Sequence, residues 1–170
     1  MALYTDLIEQ ARHLAFRERK KPKQASLRRA VSAAYYAIFH LLVDEGVQIL
    51  APREPATLRG QVRRAFAHSE MKNVCAQFAK GNIAGLGAGT REIVTSPIRQ
   101  ELQSVATAFV ALQQERNRAD YDLSQPFVRA DVLQKVNQAQ QAITDWQAVR
   151  KQPNSAVFLA ALLLQKHWNK

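Results

Sequence analysis

Residues Ser26 to Leu42 read SLRRAVSAAYYAIFHLL, with alanine, valine, isoleucine, leucine and phenylalanine at most positions and no proline or glycine to interrupt them. The polar side chains Arg29, Ser32, Tyr36 and His40 recur every three or four residues, which sets them in one stripe along an α-helix. A helix that is apolar nearly all round is a buried helix. Its polar stripe must therefore either be satisfied by internal partners or face a cleft. Both readings stand at this point: a polar network that bridges helices, or the lining of a pocket or interface groove.

Working outward, the same period continues in both directions. Leu3, Leu7, Ala11, Leu14 and Ala15 mark a first helix that runs toward the basic segment ERKKPK (Glu18–Lys23), with Pro22 at the turn. The helix carrying the quoted stretch is expected from about Gln24 to Glu45, stopping before Gly46, since glycine is a common helix terminator. APREP (Ala51–Pro55) is a loop, and Thr57 is placed to cap a third helix with Leu58, Val62 and Phe66. That helix is expected to continue, with a break near Ser69, through Val74 and Phe78. GNIAGLGAGT (Gly81–Thr90) holds four of the six glycines and reads as a flexible loop. It follows no strand and lacks the Lys-Ser/Thr of a phosphate-binding loop, so it carries no nucleotide fingerprint. Thr95 or Ser96 before Pro97 opens a helix striped with Leu102, Val105, Phe109 and Leu112, and another runs from about Val128 to Arg150 with Val132, Val136, Ala139, Ile143 and Trp146 inward. Pro153, capped by Asn154 or Ser155, opens a last short helix containing FLAALLL. No segment alternates with the period of a strand, so the fold is an all-α bundle of five to seven helices.

The chain has 170 residues and a formal net charge of +10, from 24 Lys and Arg against 14 Asp and Glu. The length suits one domain with a real core, and 47% hydrophobic residues exclude a disordered basic tail. The positive excess points to an anionic partner: nucleic acid, a nucleotide or an acidic protein. It gathers in two places, Arg17 to Arg29 and Arg59 to Lys72. One cysteine, Cys75, excludes an intramolecular disulfide and any multi-cysteine metal site. The histidines His13, His40, His68 and His167 show no ligand spacing, so neither a metal nor a cofactor is expected. The start, with Asp6 and no basic run, does not read as a secretory signal. The longest apolar run, Ala156–Leu164, is about half a membrane span. A cytoplasmic protein with no membrane partner is the expectation.

The second informative segment is ERNRADY, Glu115–Tyr121. Arg116 and Asp120, four residues apart, continue the apolar stripe of their helix, and Arg118 points to its other side. An arginine on a core face needs a partner, and Asp120 one turn on is suited to it. This is either a structural ion pair or an arginine held rigid to bind a phosphate or carboxylate.

These residues resemble a known family. Ser32-Ala-Ala-Tyr-Tyr-Ala-Ile-Phe-His40 resembles the S-x-x-Y-Y-A-x-F-H element of HEPN-domain proteins, His68 with Phe78 resembles the family's histidine-then-phenylalanine segment, and Arg116 to Tyr121 resembles its R-x-x-A-D-Y element. The resemblance spans about residues 3–150. It implies an antiparallel, up-and-down bundle of four to five core helices plus short extra helices over 1–150, with 151–170 as a C-terminal helical extension. It also implies a homodimer whose polar stripes face a shared cleft, and a role in binding RNA or a nucleotide within a toxin–antitoxin or defence-type system, beside a nucleotidyltransferase-like antitoxin protein. Nuclease members carry histidine four to six residues after the arginine near Arg116; here those positions are Asp120, Tyr121 and Asp122. The usual Arg/His ribonuclease chemistry is therefore not expected. The Arg63–His68 pair has the spacing but sits in another helix.

Metal-free cleavage of RNA needs a base, an acid and a cation. Arg116 would serve as the cation and His40, Tyr36 or His68 as the proton-transfer group, with Tyr121 as the other candidate beside His40 in an active ribonuclease; Arg29, Ser32, Tyr36, Asp120 and Tyr121 are the expected binding residues. Three functions follow: a binding module, an active metal-independent ribonuclease toxin, and a helical interaction or scaffold protein whose polar stripes are structural.

Overall fold

The computed structural model describes residues 2–168 and is an all-α helical bundle, with eight α-helices and no strand among the described residues. The helices are α1 (Leu3–Phe16), α2 (Gln24–Leu50), α3 (Ala56–Ala65), α4 (His68–Phe78), α5 (Ala88–Arg91), α6 (Gln100–Tyr121), α7 (Arg129–Val149) and α8 (Pro153–Trp168). They form two compact units, the first Met1–Leu41 with Ala108–Thr144, the second Leu42–Thr107 with Asp145–Lys170. The dividing points fall inside α2, α6 and α7.

The first unit closes on a core of Ala15, Leu27, Ala30, Val31, Ala119, Phe127 and Val132, with Leu14 and Leu133 packed against it. Tyr35 is fully buried and meets Phe109 edge-on at 5.5 Å. The expected inward residues of α6 and α7 are all buried. In α1, Ile8 takes a core position while Leu3 is exposed.

The second unit is built on aromatic packing. Phe158 of α8 meets Phe78 of α4 at 4.9 Å and Trp146 of α7 at 6.2 Å, and all three are buried. Residues 151–168 belong to one compact unit with residues 42–107. Cys75 lies fully buried in α4, and burial pushes its thiol well above the usual range. A thiol reagent should therefore leave Cys75 unmodified in the native protein and label it at the rate of unfolding; fast labelling under native conditions would contradict this packing.

Several boundaries differ from the sequence expectation, each for a non-local reason. Gly46 does not end α2, which continues to Leu50. A Cβ at Gly46 would come within 2.6 Å of the Phe66 ring, so this glycine serves close packing, not termination. Gly46→Ala is expected to cost about 1–3 kcal/mol by overpacking, measured by denaturant unfolding. Helix α3 starts at Ala56 after Pro55, with no side-chain cap from Thr57, and the break before α4 falls at Phe66–Ala67. Residues 81–90 are ordered: a 3₁₀ turn at Ile83–Gly85 is capped by Asn82, and the Gly87 N–H donates to Gln77 Oε1 at 2.9 Å. Helix α6 begins at Gln100, because Thr95 is tied to α8, its N–H donating to Asn154 Oδ1 (3.0 Å) and its carbonyl accepting from Asn154 Nδ2 (2.7 Å).

Candidate functional site

The polar stripe of α2 and the end of α6 meet within the first unit. The Ser32 hydroxyl, 4% exposed, donates to Asp120 Oδ1 at 2.8 Å. The other carboxylate oxygen of Asp120 pairs with Arg116 Nε at 2.7 Å. Arg116 Nη2 donates to the Tyr36 hydroxyl at 3.2 Å, and Nη1 to Asn117 Oδ1 at 3.2 Å. The guanidinium carbon also lies 5.6 Å from the Tyr36 ring centre and 5.8 Å from that of Tyr121, within cation–π range of both. His40 stacks on Tyr36 at 6.1 Å with ring planes 30° apart. One connected group therefore holds Ser32, Tyr36, His40, Arg116, Asp120 and Tyr121.

The local reasons are simple. Ser32, Tyr36 and His40 lie four residues apart on one face of α2, and Arg116 and Asp120 lie four apart on α6. Both helices pack through small residues nearby, Ala30 and Ala119 among them. The Arg116 and Asp120 side chains are 22% and 20% exposed, so the pair is sheltered without being sealed off. A guanidinium has five N–H donors. One contact on each nitrogen leaves a second N–H on both terminal nitrogens of Arg116, the fork geometry that receives two oxygens of a phosphate or carboxylate. Removing the Ser32 hydroxyl should free Asp120 on one side and cost about 1 kcal/mol of stability; Ser32→Ala unfolding in urea measures it.

Arg29 does not join the group. It is exposed, and none of the group's hydrogen bonds or ion pairs reaches it. Its neighbour Arg28 takes a different role that the sequence pattern did not single out. Arg28 Nη1 donates to the carbonyls of Ala119 (2.9 Å) and Asp122 (2.7 Å), with Arg118 at 3.4 Å, and Nη2 to that of Gln125 (2.9 Å). It thereby satisfies the open carbonyls at the C-terminus of α6, where a cation is also favoured by the helix dipole. Gln24 adds a second tie, accepting from the Phe127 N–H and donating to the Phe127 carbonyl, both at 2.8 Å. These contacts fix the end of α6 on which Asp120 and Tyr121 stand. Within the following turn the Ser124 hydroxyl, and then its N–H, donate to Asp122, holding that carboxyl below its ordinary range despite some desolvation. Because the folded value is the lower one, this contribution is present at neutral pH and is lost as acid protonates Asp122.

His68 lies in α4, in the second unit. The same unit has a cleft of about 210 Å³ lined by Thr95, Pro97, Arg99, Gln152 and Asn154. Arg99 there is engaged with Glu101 at 2.9 Å and Asn154 with Thr95, so the cleft offers less charged chemistry than the Arg116 group. Among the described residues no cluster of histidine, cysteine, aspartate and glutamate is placed to hold a metal ion, and no helix is long and apolar enough to cross a membrane. Comparison with family models, curated proteins and solved structures found no match to this chain.

Proposed function

We propose that this chain is a HEPN-like module that binds RNA or a nucleotide through Arg116, as a homodimer in the cytoplasm, within a toxin–antitoxin or defence-type pair whose other member is a nucleotidyltransferase-like protein. The observation that carries the reading is Arg116 itself. It is half-sheltered, oriented by Asp120, Tyr36 and Asn117, flanked by two tyrosine rings, and left with an N–H on each terminal nitrogen. A phosphate oxygen pair suits that fork, and the aromatic faces suit a base. The surplus of ten positive charges supplies the long-range attraction.

A second reading, a metal-independent ribonuclease, is favoured by one contact. His40 stacks on Tyr36, whose hydroxyl accepts from Arg116, so a proton-transfer group is linked to the cation through a single tyrosine. The two readings separate in one experiment. Purified protein is titrated with short RNA and with nucleotides at fixed moderate salt, then incubated with total RNA in the presence of a chelator. Saturable binding without cleavage is the expected result. Cleavage abolished by His40→Ala would replace the binding reading with the nuclease one. Absence of saturable binding to either ligand would remove both and leave a helical scaffold.

A further inference from the structure

We propose that the end of the first unit, where loop 17–23 meets loop 122–128, is a docking surface for an anionic phospholipid bilayer, on which the protein rests without inserting a helix. Loop 17–23 places Arg17, Arg19, Lys20, Lys21 and Lys23 within seven residues, all exposed. The one carboxylate among them, Glu18, is occupied: it accepts from the Lys23 N–H at 3.2 Å and the Ser26 hydroxyl at 2.9 Å. The loop is also held in place. Arg129, at the start of α7, donates to the carbonyls of Ala15 (2.9 Å) and Arg19 (3.2 Å) and to that of Glu18. The other loop, 122–128, is anchored to the first turns of α2 by Gln24 and Arg28. Both segments therefore project from one frame.

Large apolar side chains stand on this frame with little to cover them. Leu123 is 81% exposed, Phe16 55% and Val128 52%. Side chains this exposed have few neighbours to wall them in, so they give an acidic peptide no groove to sit in. Nor do they suit RNA: Leu123 and Val128 are aliphatic and offer no ring for a base and no donor for a phosphate, and the one ring, Phe16, already has the Arg129 guanidinium over a face at 5.8 Å. A bilayer matches both features at once. Its anionic headgroups attract the five cations, and its interfacial region accepts protruding apolar groups. The expectation of no membrane partner came from the lack of a spanning segment, which peripheral contact does not require.

The test is co-sedimentation of the full chain with phosphatidylcholine vesicles containing phosphatidylglycerol, beside vesicles of phosphatidylcholine alone. Binding to the anionic vesicles only is expected. Leu123→Asp should weaken that binding about tenfold, because an apolar contact with the interface is lost, and its exposure means the fold is untouched, which an unchanged thermal melt confirms. Lys20→Glu with Lys21→Glu should weaken it by about tenfold or more. Failure to bind anionic vesicles overturns the proposal. So does binding that Lys20→Glu/Lys21→Glu abolishes and Leu123→Asp leaves intact, since that is adsorption of any basic protein. If Leu123→Asp instead weakens RNA binding while vesicles are ignored, the surface belongs to nucleic acid and the proposal falls.

Discussion

Phe158→Ala is expected to destabilise the second unit by about 3–5 kcal/mol, the range for emptying a fully buried aromatic site. Phe158 is 0% exposed and stands between Phe78 and Trp146, at 4.9 and 6.2 Å. Its loss leaves a void against two rings that cannot both move in to fill it. Two local reporters read the result without assuming that the whole chain unfolds in one step. Trp146 fluorescence follows the packing directly, and labelling of the buried Cys75 follows exposure of α4. Both should shift to lower denaturant together. A substitution that moves neither would mean that α8 is an appendage, and the aromatic contacts are incidental.

The second large effect concerns the arginine. Arg116→Ala should reduce affinity for a short RNA or a nucleotide at least tenfold, the loss expected for a charge-assisted, forked contact of about 1.5–3 kcal/mol. Asp120→Asn should act in the opposite direction. The Asp120 carboxylate is the counter-charge at 2.7 Å, and an amide there can turn its oxygen to Arg116 Nε and donate its N–H to the Ser32 hydroxyl oxygen, keeping the arrangement without a charge that competes with a phosphate for the guanidinium. Anisotropy titrations of the two variants at one salt concentration give the comparison. Equal weakening by both would show that the pair acts only as a structural brace. Arg116→Ala that leaves binding intact would move the ligand elsewhere on the basic surface. A circular dichroism melt of each variant separates loss of the ligand contact from loss of the fold, since Arg116→Ala also strands a partly buried carboxylate.

How much of this was legible beforehand divides along a physical line. Periodicity reveals which side chains share a helix face, because the face is set by the backbone alone. Hence the buried stripes of α6 and α7 and the alignment of Ser32, Tyr36 and His40 could be read from spacing. The ion pair of Arg116 with Asp120 is also a matter of one turn of one helix. What spacing cannot supply is the partner that arrives from far along the chain. Arg28 and Arg29 are adjacent arginines, and the choice between them rests on where residues 118–125 return, some ninety positions later. Gly46 looks like a terminator until Phe66 is found against it. Thr95 looks like a cap until Asn154 is seen to hold its backbone. Residues 81–90 look loose because four glycines hide the hydrogen bonds that Gly85 and Gly87 donate to Asn82 and Gln77 and that order them.

Gln24 and Arg28 have a consequence for tolerance to substitution. Both are polar, and Gln24 is exposed, so by composition and burial they would be grouped with freely variable surface positions. Yet Gln24 both donates to and accepts from one backbone residue, as a neighbouring strand would, and only an amide of that length can do both. Arg28 serves several carbonyls with one planar fork, which a lysine cannot span. In a library covering every single replacement, these two sites should show the narrow acceptance of core positions, with glutamate failing at the first and lysine at the second. Selection on this chain would then fall on the side chains that stand in for missing backbone pairing as strictly as on those that fill its interior.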